Sequence, residues 1–98
     1  MINTKAKTET LEKRAEFFKA LSHPTRLAIV EMLKDGPVCV CEIAEAVPGG
    51  ISTVSRHLSV MKRYGVLDSE KEKRKVMYSL RTPCVLHFMQ CVDAVEYE

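Results

Sequence analysis

Ile51-Ser-Thr-Val-Ser-Arg-His-Leu-Ser-Val-Met-Lys-Arg-Tyr64, written ISTVSRHLSVMKRY over residues 51–64, carries its apolar residues at helical spacing. Val54, Leu58 and Met61 fall at i, i+4 and i+7 and predict the buried stripe of a helix. Thr53, Ser55, Arg56, Ser59, Lys62 and Arg63 spread over the opposite side. Ser52 stands where an N-cap is expected. His57 flanks the stripe, between half-buried packing and the polar outer face.

Working upstream, Pro48-Gly49-Gly50 opens a four-residue turn, and before it Cys41 to Val47 reads as a short helix. A short helix, a glycine-containing turn and a second helix with a polar, basic outer face describe a helix-turn-helix over about residues 41–64. Further back, Asp35-Gly36-Pro37 ends a helix striped by Leu27, Val30 and Leu33. Pro24 suits the first position of that helix, with Ser22 or His23 as its cap. Leu11, Ala15, Phe18 and Leu21 mark one face of a first helix from about residue 8 to 21.

Working downstream, Gly65 ends the 51–64 helix, and residues 66–80 read as two strands. Val66 and Leu67 lead in, and Val76, Tyr78 and Leu80 lead out. The charged tip Glu70–Lys75 lacks the Asn-Gly of a tight hairpin, which predicts a longer, mobile loop. A charged hairpin directly after such a helix is the wing of a winged helix, and its basic tip suits contacts with phosphates. Pro83 opens a last helix to about Val95. The fold expected is a single domain over residues 1–98, mainly α with a small β-hairpin.

Composition sets the outer limits. With 98 residues, 46% hydrophobic and 29% charged, the chain suits one soluble domain. No apolar run approaches the roughly 20 residues of a membrane span, and MINTKAKTETLEKR is too charged for a signal-peptide core. A cytoplasmic protein with no membrane partner follows, in which four cysteines are free thiols or ligands rather than disulfides. The net charge of +2 conceals an asymmetry. Residues 51–82 hold eight Lys and Arg against three Asp and Glu, whereas residues 1–50 are balanced and residues 83–98 are acidic. A basic segment in a near-neutral chain suggests a polyanion-binding surface. There is no catalytic triad, carboxylate pair or phosphate-binding glycine loop, and no Cys-x-x-Cys with a βαβ pattern. These exclusions speak against an enzyme or an organic cofactor.

LSHPTRLAIVEML (21–33), VCVCEIAEAV (38–47), STVSRHLSVMKRYGVL (52–67) and KVMYSL (75–80) resemble the ArsR/SmtB family of metal- and thiol-sensing transcriptional repressors over roughly residues 11–82. The resemblance implies a winged-helix homodimer joined through its first and last helices. It also implies binding to double-stranded operator DNA of dyad symmetry, with release when an effector binds. Carried onto this chain, Ser52, Thr53, Ser55, Arg56 and His57 face the major groove, with Lys62 and Arg63 on the same helix, and Lys73, Arg74 and Lys75 face the backbone. Many members hold zinc on the last helix through Asp and His ligands. His87 lacks the spaced partners for that, and His23 reads as a helix-start residue.

Cys39 and Cys41 occupy the place where arsenic-, cadmium- and lead-responsive members of the family carry Cys-x-Cys. Residues i and i+2 point the same way only in extended chain, which puts the pair at or before a helix start. There the positive end of the helix favours thiolates, and paired thiolates chelate soft, thiophilic centres. Trivalent arsenic or antimony takes three sulfurs, and cadmium, lead or zinc three or four. Cys84 and Cys91 share a stripe of the last helix but stand about 10 Å apart along its axis, too far to serve one ion together. The expectation is a three-sulfur site of Cys39, Cys41 and one of Cys84 or Cys91, from the same or the partner subunit. As(III) or Sb(III) is the expected effector, with Cd, Pb or Zn as alternatives. The competing readings are a redox- or persulfide-sensing repressor of the same fold and a constitutive DNA-binding protein with structural cysteines.

Overall fold

The computed structural model describes residues 5–97; Met1–Thr4 and Glu98, the ends of the expected domain, lie outside them. Eight elements follow in order: α1 Lys5–Leu21, α2 Pro24–Met32, β1 Val38–Cys39, α3 Val40–Ala46, α4 Gly50–Arg63, β2 Leu67–Glu72, β3 Lys75–Leu80 and α5 Val85–Asp93. The core forms where α2, α3 and α4 meet the base of the sheet. Ile29, Val30, Ile43, Val54, Leu58, Met61, Val66 and Leu67 are all fully buried there. The stripe Val54–Leu58–Met61 is therefore the inner face of α4, as its spacing predicts.

Local chemistry sets each end of α4. Gly49 is its N-cap at φ 105°, a left-handed conformation that favours glycine. A Cβ at Gly49 would lie 2.7 Å from Thr53 Cγ2, so the turn and the helix close tightly on each other. Ser52, expected as the cap, instead lies inside the first turn, because Pro48-Gly49 already redirects the chain and the helix begins at Gly50. At the other end, Val66 N–H donates to Met61 O at 2.9 Å and Gly65 N–H to Lys62 O at 3.2 Å. This is a Schellman closure, with Gly65 at φ 89°. It delivers Val66 and Leu67 straight into the core.

The sheet differs from the expected hairpin in two ways. β2 and β3 pair antiparallel out to Glu72↔Lys75, leaving only Lys73 and Arg74 as the turn. The long, mobile tip is thus replaced by a tight one. Lys73 takes φ 57°, doing at some steric cost what Asn or Gly does in other short hairpins. A third strand, β1, also joins the sheet in the order β1-β3-β2, pairing Val38 with Tyr78 and Cys39 with Met77. Two residues between Pro37 and a helix carry too little alternation to announce a strand.

The outer helices are packed differently. α1 buries Ala20 and Leu21 at its C-terminal end, and α5 buries Val85, while Leu11, Phe18, Phe88, Val92 and Val95 stand exposed. Phe18 and Phe88 meet across the two helices with ring centroids 5.5 Å apart. Helix α5 is shorter than expected: Cys84 takes its N-cap position, and it ends at Asp93 rather than Val95. No helix is long and apolar enough to cross a membrane.

Candidate DNA interface and thiol site

Helix α4 presents a polar, basic surface away from the core. Ser52, Ser55, Arg56, Ser59, Lys62 and Arg63 are exposed along it, and Lys73, Arg74 and Lys75 are exposed at the hairpin tip. Lys62 Nζ donates to Ser69 Oγ at 2.6 Å, which ties the C-terminal end of α4 to β2 and fixes the hairpin relative to the helix. A rigid helix with a basic hairpin at its side is a surface shaped for a groove and its flanking phosphates. Thr53 is only partly exposed, with its side chain against the Gly49 turn.

His57, counted with the groove-facing residues on the sequence, lies inward at 8% exposure, among Val54, Leu58 and Met61 on the inner face of α4. Its Nδ1 accepts from Arg26 Nε at 3.0 Å, and Arg26 Nη1 also donates to Ala20 O at 3.3 Å. One arginine thus joins the end of α1, the start of α2 and the buried side of α4. The position fits the packing role, and a base contact from it is withdrawn. Nothing in the sequence signals a pairing between residues 31 apart, so the role of Arg26 escaped notice. His23, by contrast, is the helix-start residue expected: its Nδ1 accepts from Thr25 N–H at 3.0 Å, and its ring stands 4.7 Å from that of His57.

Burial pushes the His57 pKa below its ordinary value of 6.5, and the neighbouring Arg26, His23 and Arg56 push the same way. A histidine whose folded pKa is lowered binds protons more weakly in the folded than in the unfolded state. Its neutral form therefore supports the fold above about pH 6.5, and that support is lost as pH falls below this value toward the folded pKa. The wild-type protein should lose stability through this window, with His57 contributing at most about 1.4 kcal/mol per pH unit. His57→Asn, which keeps an acceptor near Nδ1, should remove that part of the slope in urea denaturation at pH 7, 6 and 5. An unchanged slope would show that His57 is not the group responsible.

Cys39 and Cys41 stand at the N-terminal end of α3. Cys39 closes β1 in extended conformation and is also the N-cap of α3, with its Sγ accepting from Cys41 N–H at 3.4 Å. Cys39 is 4% exposed, whereas Cys41 is open to solvent in the first helical turn. The two thiols touch. A hydrogen bond from the Cys41 thiol, then one from the Cys41 N–H, holds the Cys39 thiol below its ordinary range, and Lys75 on β3 adds to this. The same thiol contact pushes Cys41 up, as do burial and the nearby Cys39 charge. One thiolate forms readily and its neighbour keeps the proton.

Cys84 and Cys91 are exposed elsewhere, bordering a groove of about 430 Å³ between α1 and α5 with Phe17, Phe18 and Phe88. Among the described residues, no group of three His, Cys, Asp or Glu side chains is placed to hold a metal ion. The version of the three-sulfur site drawn from one subunit is therefore not assembled. The folded chain brings together Cys39 with Cys41, and separately sets Cys84 and Cys91 on the apolar face of α1 and α5.

Residues 23–69 match the model of the bacterial regulatory proteins of the arsR family. The chain is 36% identical over 86 residues to an HTH-type transcriptional regulator of Methanocaldococcus jannaschii, covering 87% of this chain and 97% of that one. It is 39% identical over 75 residues to the cadmium resistance transcriptional regulatory protein CadC of Listeria innocua, covering 76% of this chain but 63% of that longer protein. In structure it resembles the homodimeric winged helix-turn-helix DNA-binding domain Mb0332 of Mycobacterium bovis, with a TM-score of 0.85, 26% identity, and coverage of 93% of this chain and 87% of that one. The fold is the winged helix-turn-helix, and the relatives are transcriptional regulators, in line with the expectation of a non-enzymatic protein. On its matched helix-turn-helix and its likeness along almost the whole length of the archaeal regulator, the chain belongs to the arsR family of bacterial regulatory proteins.

Proposed function

We propose that the protein is a cytoplasmic, homodimeric repressor that binds operator DNA through α4 and the β2–β3 hairpin and releases it when a thiophilic metal or metalloid engages Cys39 and Cys41. The observation that carries this reading is the placement of Cys39. It is at once a strand residue paired to β3, the cap of α3 and the hydrogen-bonded neighbour of a second thiol. A pull on its sulfur therefore acts on the wing through Met77 and on the helix-turn-helix through α3.

The dimer follows from the apolar face of α1 and α5. The radius of gyration is 15.1 Å, against about 13 Å for a compact chain of this length. Exposed Phe18, Phe88, Val92 and Val95 are what a second copy would cover. The Mycobacterium bovis domain is itself a homodimer.

The donor set suits a soft ion. Two adjacent sulfurs, one already biased toward thiolate, fit As(III), Sb(III), Cd(II) or Pb(II) better than a hard cation. Two donors fall short of a full set. We place the third sulfur at Cys84 or Cys91 of the partner subunit, and we favour As(III) or Sb(III), for which three sulfurs suffice. Such an ion supplies strong, directional bonds to sulfur. Cys39 Sγ then serves as ligand where it had served as helix cap, and the entry of α3 shifts relative to β3. A coupling of about 1–3 kcal/mol, common in allosteric proteins, weakens DNA binding roughly 5- to 150-fold.

The test is fluorescence anisotropy of the reduced protein on its own promoter DNA at fixed salt, titrated with arsenite, cadmium and a persulfide donor. Release by arsenite at one equivalent or fewer per subunit is the expected result. Release by cadmium alone keeps the thiol site and changes the ion. Release by the persulfide donor alone replaces metal sensing with a redox switch, and indifference to all three leaves a constitutive DNA-binding protein.

A further inference from the structure

Ile51 is 55% exposed in the first turn of α4. The other large hydrophobics exposed among the described residues are Leu11, Phe18, Phe88, Val92, Val95 and Tyr97, all on α1, on α5 or beyond it. Ile51 therefore stands alone on the opposite functional surface. It shares no face with the buried stripe Val54–Leu58–Met61, and its helical neighbour at i+4 is the exposed Ser55. The space beside it is open as well, since a Cβ at Gly50 would meet nothing within 4 Å. Folding gains little from an isoleucine there, and a β-branched residue is no aid to an exposed helix turn. Its apolar surface can be removed from water only by something that docks against the N-terminal end of α4.

On the reading that α4 enters the major groove, the residues of its first turns approach base edges. The one apolar group displayed in that groove is the C5-methyl of thymine. We infer that Ile51 is a specificity-determining residue that packs on a thymine methyl in each half-site, while Ser52, Ser55 and Arg56 supply the polar contacts around it. This inference rests on the DNA-binding reading and adds to it a base that the protein selects.

The experiment uses the duplex that the full-length reduced protein itself selects from a randomised library. Each thymine of that duplex is replaced in turn by uracil, which deletes the methyl and leaves the pairing edge intact. Wild-type protein should lose about 3- to 10-fold in affinity at one thymine per half-site, the scale of one methyl removed from an apolar contact. Ile51→Ala should bind the thymine and uracil duplexes equally, and Ile51→Val should discriminate by an intermediate factor. Because Ile51 is exposed, both variants should keep the wild-type circular dichroism and melting temperature, which checks that any change lies in recognition. Discrimination that survives in Ile51→Ala, or a wild-type protein indifferent to every uracil replacement, overturns the inference while leaving DNA binding intact. A protein that enriches no duplex at all overturns the DNA-binding reading itself, and this inference with it.

Discussion

Phe88→Asp should convert the protein to a monomer and weaken its binding to a two-half-site operator about 10²- to 10⁴-fold, the avidity that linking two binding modules confers. Phe88 is 54% exposed and sits 5.5 Å from Phe18 at the crossing of α1 and α5. In the monomer an aspartate there faces water and leaves the core of α2, α3 and α4 untouched. Buried against a second copy, the same carboxylate would lose its hydration with no cation supplied by this apolar face. Sedimentation velocity and operator titration at one salt concentration check both halves of the result. A Phe88→Asp protein that still sediments as a dimer would place the interface elsewhere.

Cys39→Ser should leave effector-free operator affinity within about threefold of wild type and abolish the 5- to 150-fold release by metal. The serine keeps a helix-capping acceptor at the N-cap of α3, so the entry to the helix-turn-helix survives while the soft ligand is lost. Cys41→Ser should behave in the same way. Of Cys84→Ser and Cys91→Ser, one should lose the response and the other retain it, because the two stand too far apart on one helix to serve the same ion. Operator titrations of the four variants with one equivalent of arsenite per subunit check this. Wild-type release from Cys39→Ser would remove the cysteine pair from the sensing site.

Much of this was legible in the residues because periodicity reports burial directly. Val54, Leu58 and Met61 announced the inner face of α4, and Pro24 with His23 announced the start of α2. What periodicity does not report is pairing at a distance. Strand β1 is two residues long and exists only because β3 offers Tyr78 and Met77 as partners. The tight tip at Lys73 and Arg74 was missed because the signal sought was Asn-Gly, whereas the register of β2 and β3 held a lysine in the left-handed region instead. His57 looked ambiguous on a helical wheel, and a contact from Arg26, far away in sequence, decided its orientation. The apolar stripe of α1 was read correctly as a face, yet Leu11 and Phe18 are exposed within one chain. A stripe shows that something will be covered, without saying by which copy. The cysteines divide in the same way: adjacency in sequence brought Cys39 and Cys41 together, and no local rule specifies how Cys84 or Cys91 meets them.

The most direct test of sensing is the reciprocal one. If metal and operator are coupled through Cys39, then operator must weaken metal binding by the same factor by which metal weakens operator binding. Competition titration of cadmium into the reduced protein, alone and saturated with operator, measures that factor without any reporter of DNA release. The predicted result is a loss of cadmium affinity on operator equal to the loss of operator affinity on cadmium, and absent in Cys39→Ser. Equal cadmium affinity in the free and operator-bound protein would contradict the account, leaving the thiols as a metal site with no bearing on DNA.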